Sequence, residues 1–397
     1  MEEPAAPLIV VAPDSFKGSC DAALVASSIA EGLADVFGDT VRIRAIPLAD
    51  GGEGTLDALI AAWGGRILTA PCSDALGRIR TGRIGLSADG RTAIVEAAEA
   101  NGLPHVTDQP LRALDADTYG VGLLALAALY AGAEEILLCV GGSATNDGGA
   151  GMLRALGARL FDAKGEEVRP GVAGLESIVG IDTSGLDRRA LAAKWRVAVD
   201  VDNPLTGPRG AAEVFAVQKG ANAGEVRRID SALALFARVL AREFGVPIER
   251  LTDSPGLGAA GGMPLMLTAV FDADLEPGSE IVARTVGLDE ALSSAALVIT
   301  GEGRLDSQSL EGKVVSRVLL GPAPTVVISG SVELTASQCR EAGIAGAFSL
   351  ARGAADLDAL KAGAPKLLRE VSAQIGALIR ESGALNSLKN KRREHHG

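Results

Sequence analysis

The chain has 397 residues, of which 47% are hydrophobic, 22% charged and 3% aromatic, with 50 glycines and a net charge of -12. An apolar share of that size excludes a disordered chain, and glycine without a three-residue period excludes collagen. The acidic balance opposes non-specific binding to nucleic acid or acidic membranes.

From the N-terminus, LIVVA (Leu8 to Ala12) is a β-branched run that predicts a buried strand, and apolar residues at helical spacing predict a helix over Asp21 to Phe37. RIRAIPLA (Arg42 to Ala49) predicts a second strand, and LDALIAAWGG a second helix. This is the alternation of a parallel sheet covered by helices. From Arg66 the texture changes to RILTAPCSD, RTGRIGL and RTAIVEAAEA, which predict antiparallel strands at the edge of a second domain. A helix, TYGVGLLALAALYAGA, then leads into the strand EEILLCV (Glu134 to Val140). WRVAVDVDN (Trp195 to Asn203) predicts a further strand, and Arg227 to Phe244 a long amphipathic helix. The α/β rhythm returns near Asp289, with strands at AALVIT (Ala295 to Thr300), PTVVISG (Pro324 to Gly330) and AGAFSL. The expected organisation is a domain of residues 69–285 inserted into one built from 1–68 and 286–385, with a polar tail over 386–397.

Ligands of open α/β sheets bind beyond the carboxyl ends of strands. Four segments have that placement together with glycine and polar residues. PDSFKG (Pro13 to Gly18) follows the first strand. Asp14 and Ser15 there suit a helix cap, while Lys17 at a helix N-terminus opposes the dipole unless it meets an anion. ADGGEGT (Ala49 to Thr55) sets Asp50 and Glu53 around glycines at the same sheet end, a metal or hydroxyl site beside Lys17 or simple turn formers. GGSATNDGGAG (Gly141 to Gly151) opens a helix with Gly142, Ser143, Thr145, Asn146 and Asp147, a composition that suits phosphate or substrate. TGEGRLDSQSLEGK (Thr300 to Lys313) offers Glu302 and Asp306 to a metal and Arg304 and Lys313 to phosphate oxygens, or else is a solvated helix start capped by Ser309. DVDNPLTGPRGA adds Asp200, Asp202 and Asn203.

GLGAAGG (Gly256 to Gly262) matches GxGxxG, and a dinucleotide-dependent oxidoreductase of a small hydroxy acid is the alternative it offers. TDSP precedes it where a strand would be needed. No GxxxxGKS/T, protein-kinase, GxSxG or HExxH signature occurs. The only histidines are His105, His395 and His396, so a carboxylate is the expected base. Cys20, Cys72, Cys139 and Cys339 lie far apart without a CxxC pair, which signals neither zinc nor a disulfide framework. MEEPAAP lacks a basic leader, and the apolar stretch Val121 to Ala133 is too short to span a bilayer, so a soluble, cytoplasmic protein is expected. Glycine for close approach, carboxylates for metal or proton and cations for phosphate together suit phosphoryl transfer. A non-catalytic sugar-acid sensor is disfavoured, because those carboxylates repel an acid ligand.

The ordered series PDSFKG, ADGGEGT, GGSATNDGG, DVDNPLTGPRGA, QKGA (Gln218 to Ala221), GAAGG and GEGRLD resembles the bacterial glycerate kinase family from about Leu8 to about Arg380. The resemblance implies an α/β protein: a Rossmann-like parallel-sheet domain, a second inserted α/β domain and an active site in the cleft between them. It also implies an ATP-dependent kinase with Mg2+ that phosphorylates D-glycerate to 2-phosphoglycerate or 3-phosphoglycerate. The matched positions are Asp14, Ser15, Lys17, Asp50, Glu53, Ser143, Asn146, Asp147, Asp200, Asn203, Lys219, Glu302 and Asp306. On this footing Asp200 is the expected base and Asp147 the second choice. Lys17 and Arg304 are expected to meet the glycerate carboxylate or the γ-phosphate, Glu302 and Asp306 to hold Mg2+, and the GGSATNDGG amides to line a phosphate path. Expected partners are D-glycerate and ATP, without nucleic acid or membrane, and a homodimer is the assembly to test.

Overall fold

A computed structural model describes residues 6–52, 54–310, 313–351, 353, 356–383 and 385. The tail over 386–397 and the candidate Glu53 therefore lie outside the described residues. The chain divides into two compact units, residues 1–50 with 279–397, and residues 51–278.

In the first unit β1 (Leu8–Val11), β2 (Arg42–Ala45), β11 (Leu297–Leu305), β12 (Thr325–Val332) and β13 (Ile344–Ser349) form a parallel sheet in the order β13-β12-β11-β1-β2. All four residues of β1 are buried, as a strand covered on both faces requires. β1 pairs with β2 on one side (Ile9 opposite Ile43) and with β11 on the other (Ile9 opposite Leu297), so the strand order reverses there. Helices Ala22–Phe37 and Leu357–Ser382 cross at Gly32, where a Cβ would lie 2.1 Å from the Arg369 carbonyl oxygen. Their apolar stripes, Val25, Ile29, Leu33, Leu368 and Ile375, pack on Ile9, Val11 and Ile299.

The second unit holds a six-stranded sheet of β3 (Arg66–Ser73), β4 (Ile79–Leu86), β5 (Thr92–Glu96), β6 (Glu135–Cys139), β9 (Lys194–Val199) and β10 (Asp274–Pro277). Its order is β10-β9-β6-β5-β4-β3. β3, β4 and β5 pair antiparallel, as expected, but β5 is parallel to β6 and so begins the parallel half. A separate pair, β7 (Arg159–Asp162) with β8 (Ile178–Asp182), is antiparallel. The long amphipathic helix spans Ala223–Phe244, with Asn222 and Glu225 forming a capping box.

The junctions fall at 50/51 and 278/279, not at 68/69 and 285/286. Helix Thr55–Trp63 explains the first difference. Its Leu56 and Leu59 are fully buried, and a Cβ on Gly85 of β4 would lie 2.6 Å from Ile60. The α/β alternation thus runs on through the junction although the helix packs on the second sheet. β9 stops at Val199, earlier than the expected Asn203, which leaves Asp200 at the strand's carboxyl end.

Trp195 is 1% exposed in the core of the second unit, donates its Nε1 hydrogen to the Ala190 carbonyl at 2.8 Å and stacks on Phe271 with ring centroids 5.1 Å apart. Trp195→Ala should therefore cost about 3–5 kcal/mol, measured as a lowered midpoint in urea unfolding.

Candidate functional site

In the first unit the reversal of strand order between β1 and β11 places Asp14 and Glu302 side by side at the carboxyl edge. The Asp14 amide donates to the Gly301 carbonyl at 2.8 Å, which continues the ladder past β1. Asp50 follows β2 at the same edge. Asp14 is 8% exposed and accepts the Ser15 amide at 2.6 Å. Burial, reinforced by the Asp50 carboxylate, pushes its pKa up to about 7, against the pull of the Ser15 amide and Lys17. Glu302 is also raised, first by burial, and its Oε1 is buried without a hydrogen-bond partner. Lys17 approaches Asp50 at 3.8 Å.

Two sequence expectations change in this unit. Asp14 and Ser15 do not cap the helix; Asp21 does, accepting the Leu24 amide at 2.7 Å. Lys17 accordingly sits in a tight turn closed by Phe16 and Cys20, not at the helix N-terminus. Asp306 is engaged locally as well, because it accepts the Gln308 and Ser309 amides and pairs with Arg304 at 2.9 Å. Arg304 also faces Glu333 at 3.8 Å, so its charge is compensated before any anion arrives.

Among the described residues no three Asp, Glu, His or Cys side chains converge as a ready set of metal ligands. Mg2+ is commonly held by one or two carboxylates, with waters and phosphate oxygens completing its shell. The orphaned Glu302 oxygen and the crowded Asp14 and Asp50 carboxylates fit that hard, oxygen-seeking ion. Asp306, already turned into its own loop, fits it less well than these three.

In the second unit Asp200 follows β9 and is exposed, with one oxygen accepting the Gly278 amide at 3.0 Å. A Cβ on Gly51 would lie 2.9 Å from the other oxygen, and Gly51 has a φ of 89°, so only glycine suits that position. Gly141 approaches Gly52 just as closely: a Cβ there would be 2.6 Å from the Gly52 Cα. The ends of β6 and β9 and the Gly51–Gly52 segment thus meet at one edge.

The GGSATNDGG loop departs from its expected role. Asp147 is fully buried and accepts hydrogen bonds from the Gly149 and Gly151 amides (3.3 and 2.9 Å) and from the Thr118 amide and hydroxyl (3.0 and 2.9 Å). A carboxylate of the chain itself already occupies the helix start that was expected to receive phosphate. Asp147 is also closed to a substrate hydroxyl, which removes it as second choice for the base. Lys219, 3% exposed, donates to Ser143 Oγ at 3.2 Å and to the Thr145 carbonyl at 2.7 Å, and burial lowers its pKa to about 7. Asn146 is buried and donates to the Ala113 carbonyl at 3.2 Å. Of this loop Gly142 remains exposed, next to a largely buried Ser143. Asn203 holds its own loop, giving its side-chain amide to the Arg209 carbonyl at 2.7 Å.

GLGAAGG follows a helix and a turn, not a strand. It packs on the loops beside it: a Cβ on Gly261 would lie 2.1 Å from the Thr145 carbonyl oxygen, and the Gly148 amide donates to the Gly261 carbonyl at 3.0 Å. Its glycines serve close packing, and the dinucleotide alternative loses its motif.

Glu96 and Asp117 are among the buried carboxylates that escaped the sequence reading. Glu96 ends β5 and is 2% exposed. Asp117 precedes the helix Tyr119–Tyr130 and accepts the Tyr119 amide at 3.0 Å. An acidic residue closing a buried parallel strand was the available signal for Glu96. Asp117 reads as an ordinary helix-start residue, which in part it is.

Burial, followed by the nearby Asp147, raises Asp117 to about 7. The folded chain therefore keeps a proton that the unfolded chain gives up near pH 4, and the stability this group contributes is lost as pH rises toward 7. Asp117→Asn should gain stability relative to the native protein between pH 5 and pH 8, by about 1–3 kcal/mol, in urea unfolding at the two pH values.

The model of the glycerate kinase family matches residues 9–380. The chain is 41% identical to the glycerate kinase of Bacillus subtilis, covering 94% of this chain and 97% of that one. It is also 41% identical to the glycerate 2-kinase of Escherichia coli, with the same two shares covered. A crystal structure of a candidate glycerate kinase 2 from Salmonella typhimurium superposes with a TM-score of 0.80 at 41% identity, covering 95% of this chain and 99% of that one. With nearly its whole length matched, the chain belongs to the glycerate kinase family.

Proposed function

We propose that the protein transfers the γ-phosphoryl group of ATP to the 2-hydroxyl of D-glycerate, giving 2-phosphoglycerate and ADP. The observation that carries this reading is the near-full-length likeness to proteins named glycerate kinase, and the glycerate 2-kinase among them supports the 2-position. No described helix is long and apolar enough to cross a membrane.

Asp200 is the base in this reading. It is an exposed carboxylate at the end of a parallel strand, oriented by the Gly278 amide, and it takes the proton that the attacking hydroxyl loses. Lys17, whose side chain is 69% exposed and lies 3.8 Å from Asp50, provides positive charge for an anionic oxygen. One or two of Glu302, Asp14 and Asp50 would hold Mg2+, with waters and phosphate oxygens completing its shell, and the ion would supply charge neutralisation to the phosphates. The raised pKa values of Asp14 and Glu302 then have a use, since carboxylates crowded together are eased by a cation. The exposed Gly142 gives the substrate a backbone surface without a side chain in the way.

Purified protein with D-glycerate, ATP and Mg2+ should release ADP in a coupled assay, and phosphorus NMR should show the 2-phosphate. A 3-phosphate would overturn the assigned position, and no glycerate-dependent ADP would overturn the activity. Asp200→Asn should lower kcat by about 10²-fold or more. Lys17→Ala should act mainly on KM, and Glu302→Gln should raise the Mg2+ concentration needed for half-maximal rate.

A further inference from the structure

We infer that Glu96 is a positioning residue for this reaction, holding the first turn of helix Thr55–Trp63 so that the glycines before it stay against Asp200 and Gly141. The inference rests on the role given to Asp200 above. Glu96 Oε1 accepts the Leu56 amide at 2.7 Å. That amide is one of the helix-start donors left without an intrahelical partner. The residue before the helix, Gly54, has a φ of 92° and no side chain to cap with. A carboxylate forty residues away in sequence takes the place of the missing cap.

The anchor reaches the site in two short steps. Thr55, next to Leu56, gives both its amide and its hydroxyl to the Gly52 carbonyl, at 3.3 and 2.8 Å. Gly52 abuts Gly141, and Gly51 abuts the Asp200 oxygen and the Cα of Gly278, with less room than one methyl group needs. A helix start that drifted by an ångström would disturb both contacts, and misplacement on that scale near a reacting group can cost about 10² in rate.

The charged groups around Glu96 are Glu99, Arg83 and Asp57. Arg83 engages the other two, bonding Glu99 at 2.8 Å and Asp57 at 3.0 Å. No cation is thereby committed to Glu96, and burial is the first cause that raises its pKa to about 7. An acid kept in a site that disfavours its charge suggests that its oxygen is needed there, whereas an apolar residue would fill the space at less cost.

The test compares Glu96→Gln with Glu96→Ala in steady-state kinetics, thermal unfolding and hydrogen exchange at the Leu56 amide. Glutamine keeps an oxygen for that amide and should leave kcat within about threefold of native. Alanine should lower kcat at least tenfold, change KM for ATP by less than threefold and speed Leu56 exchange, in a protein that still unfolds cooperatively. If alanine prevents folding, Glu96→Asp, which withdraws the oxygen by one methylene, takes its place with the same expectations. Native kcat in the alanine or aspartate variant, unchanged Leu56 exchange, or a glutamine variant as impaired as alanine overturns the inference. Exchange is read without substrate, so the anchor is tested even if the native protein proves inactive on D-glycerate, an outcome that overturns the proposed function instead.

Discussion

The organisation of the second unit turns on a single buried carboxylate. Asp147 lies out of contact with water, where an ionised side chain is costly unless donors surround it. Four donors do so: two amides from its own loop and the amide and hydroxyl of Thr118. The Thr118 hydroxyl oxygen in turn accepts the Met152 amide at 2.8 Å, which ties the start of the following helix into the same network. Lys219, its pKa lowered by burial to about 7, donates to Ser143 and Thr145 and braces the other side of the loop. Removing any one partner leaves a buried polar group short of a hydrogen bond in a region of low dielectric, where that loss is costly.

This arrangement explains why location was legible in the sequence and role was not. Glycine and carboxylates after β-branched runs correctly identified strand ends, because short polar loops with bare backbone are what an open α/β sheet needs there. Asp14, Asp50 and Asp200 stand at such ends. A loop such as GGSATNDGG, however, has two physical solutions: its amides can wait for an external anion or close on an internal one. Which solution is taken depends on Thr118, twenty-nine residues away, and no local pattern reports it. The first junction between units escaped for a related reason, since periodicity reveals that a helix forms but not which sheet receives its apolar face.

The two sheet edges divide chemical labour. That of the first unit gathers acids whose mutual repulsion Lys17, on a small turn beside them, offsets only in part. That of the second gathers glycines packed to their limit around one accessible carboxylate. The first edge is poised electrostatically and the second is fixed sterically. Substitutions that preserve charge are therefore tolerable at neither for the same reason: at one the distance between charges matters, at the other the absence of a Cβ.

The position of β1 between β2 and β11 bears on how the chain reaches this state during synthesis. β1 is made before the whole of the second unit, yet its neighbour β11 lies nearly three hundred residues downstream. The second unit, continuous from Gly51 to Gly278, has its last strand complete at Pro277, before β11 begins at Leu297. On a ribosome it can close its core while the first strand still waits as an apolar segment with one edge unpaired. Contacts so distant along the chain form slowly, which makes that interval the period in which a molecular chaperone has most to protect.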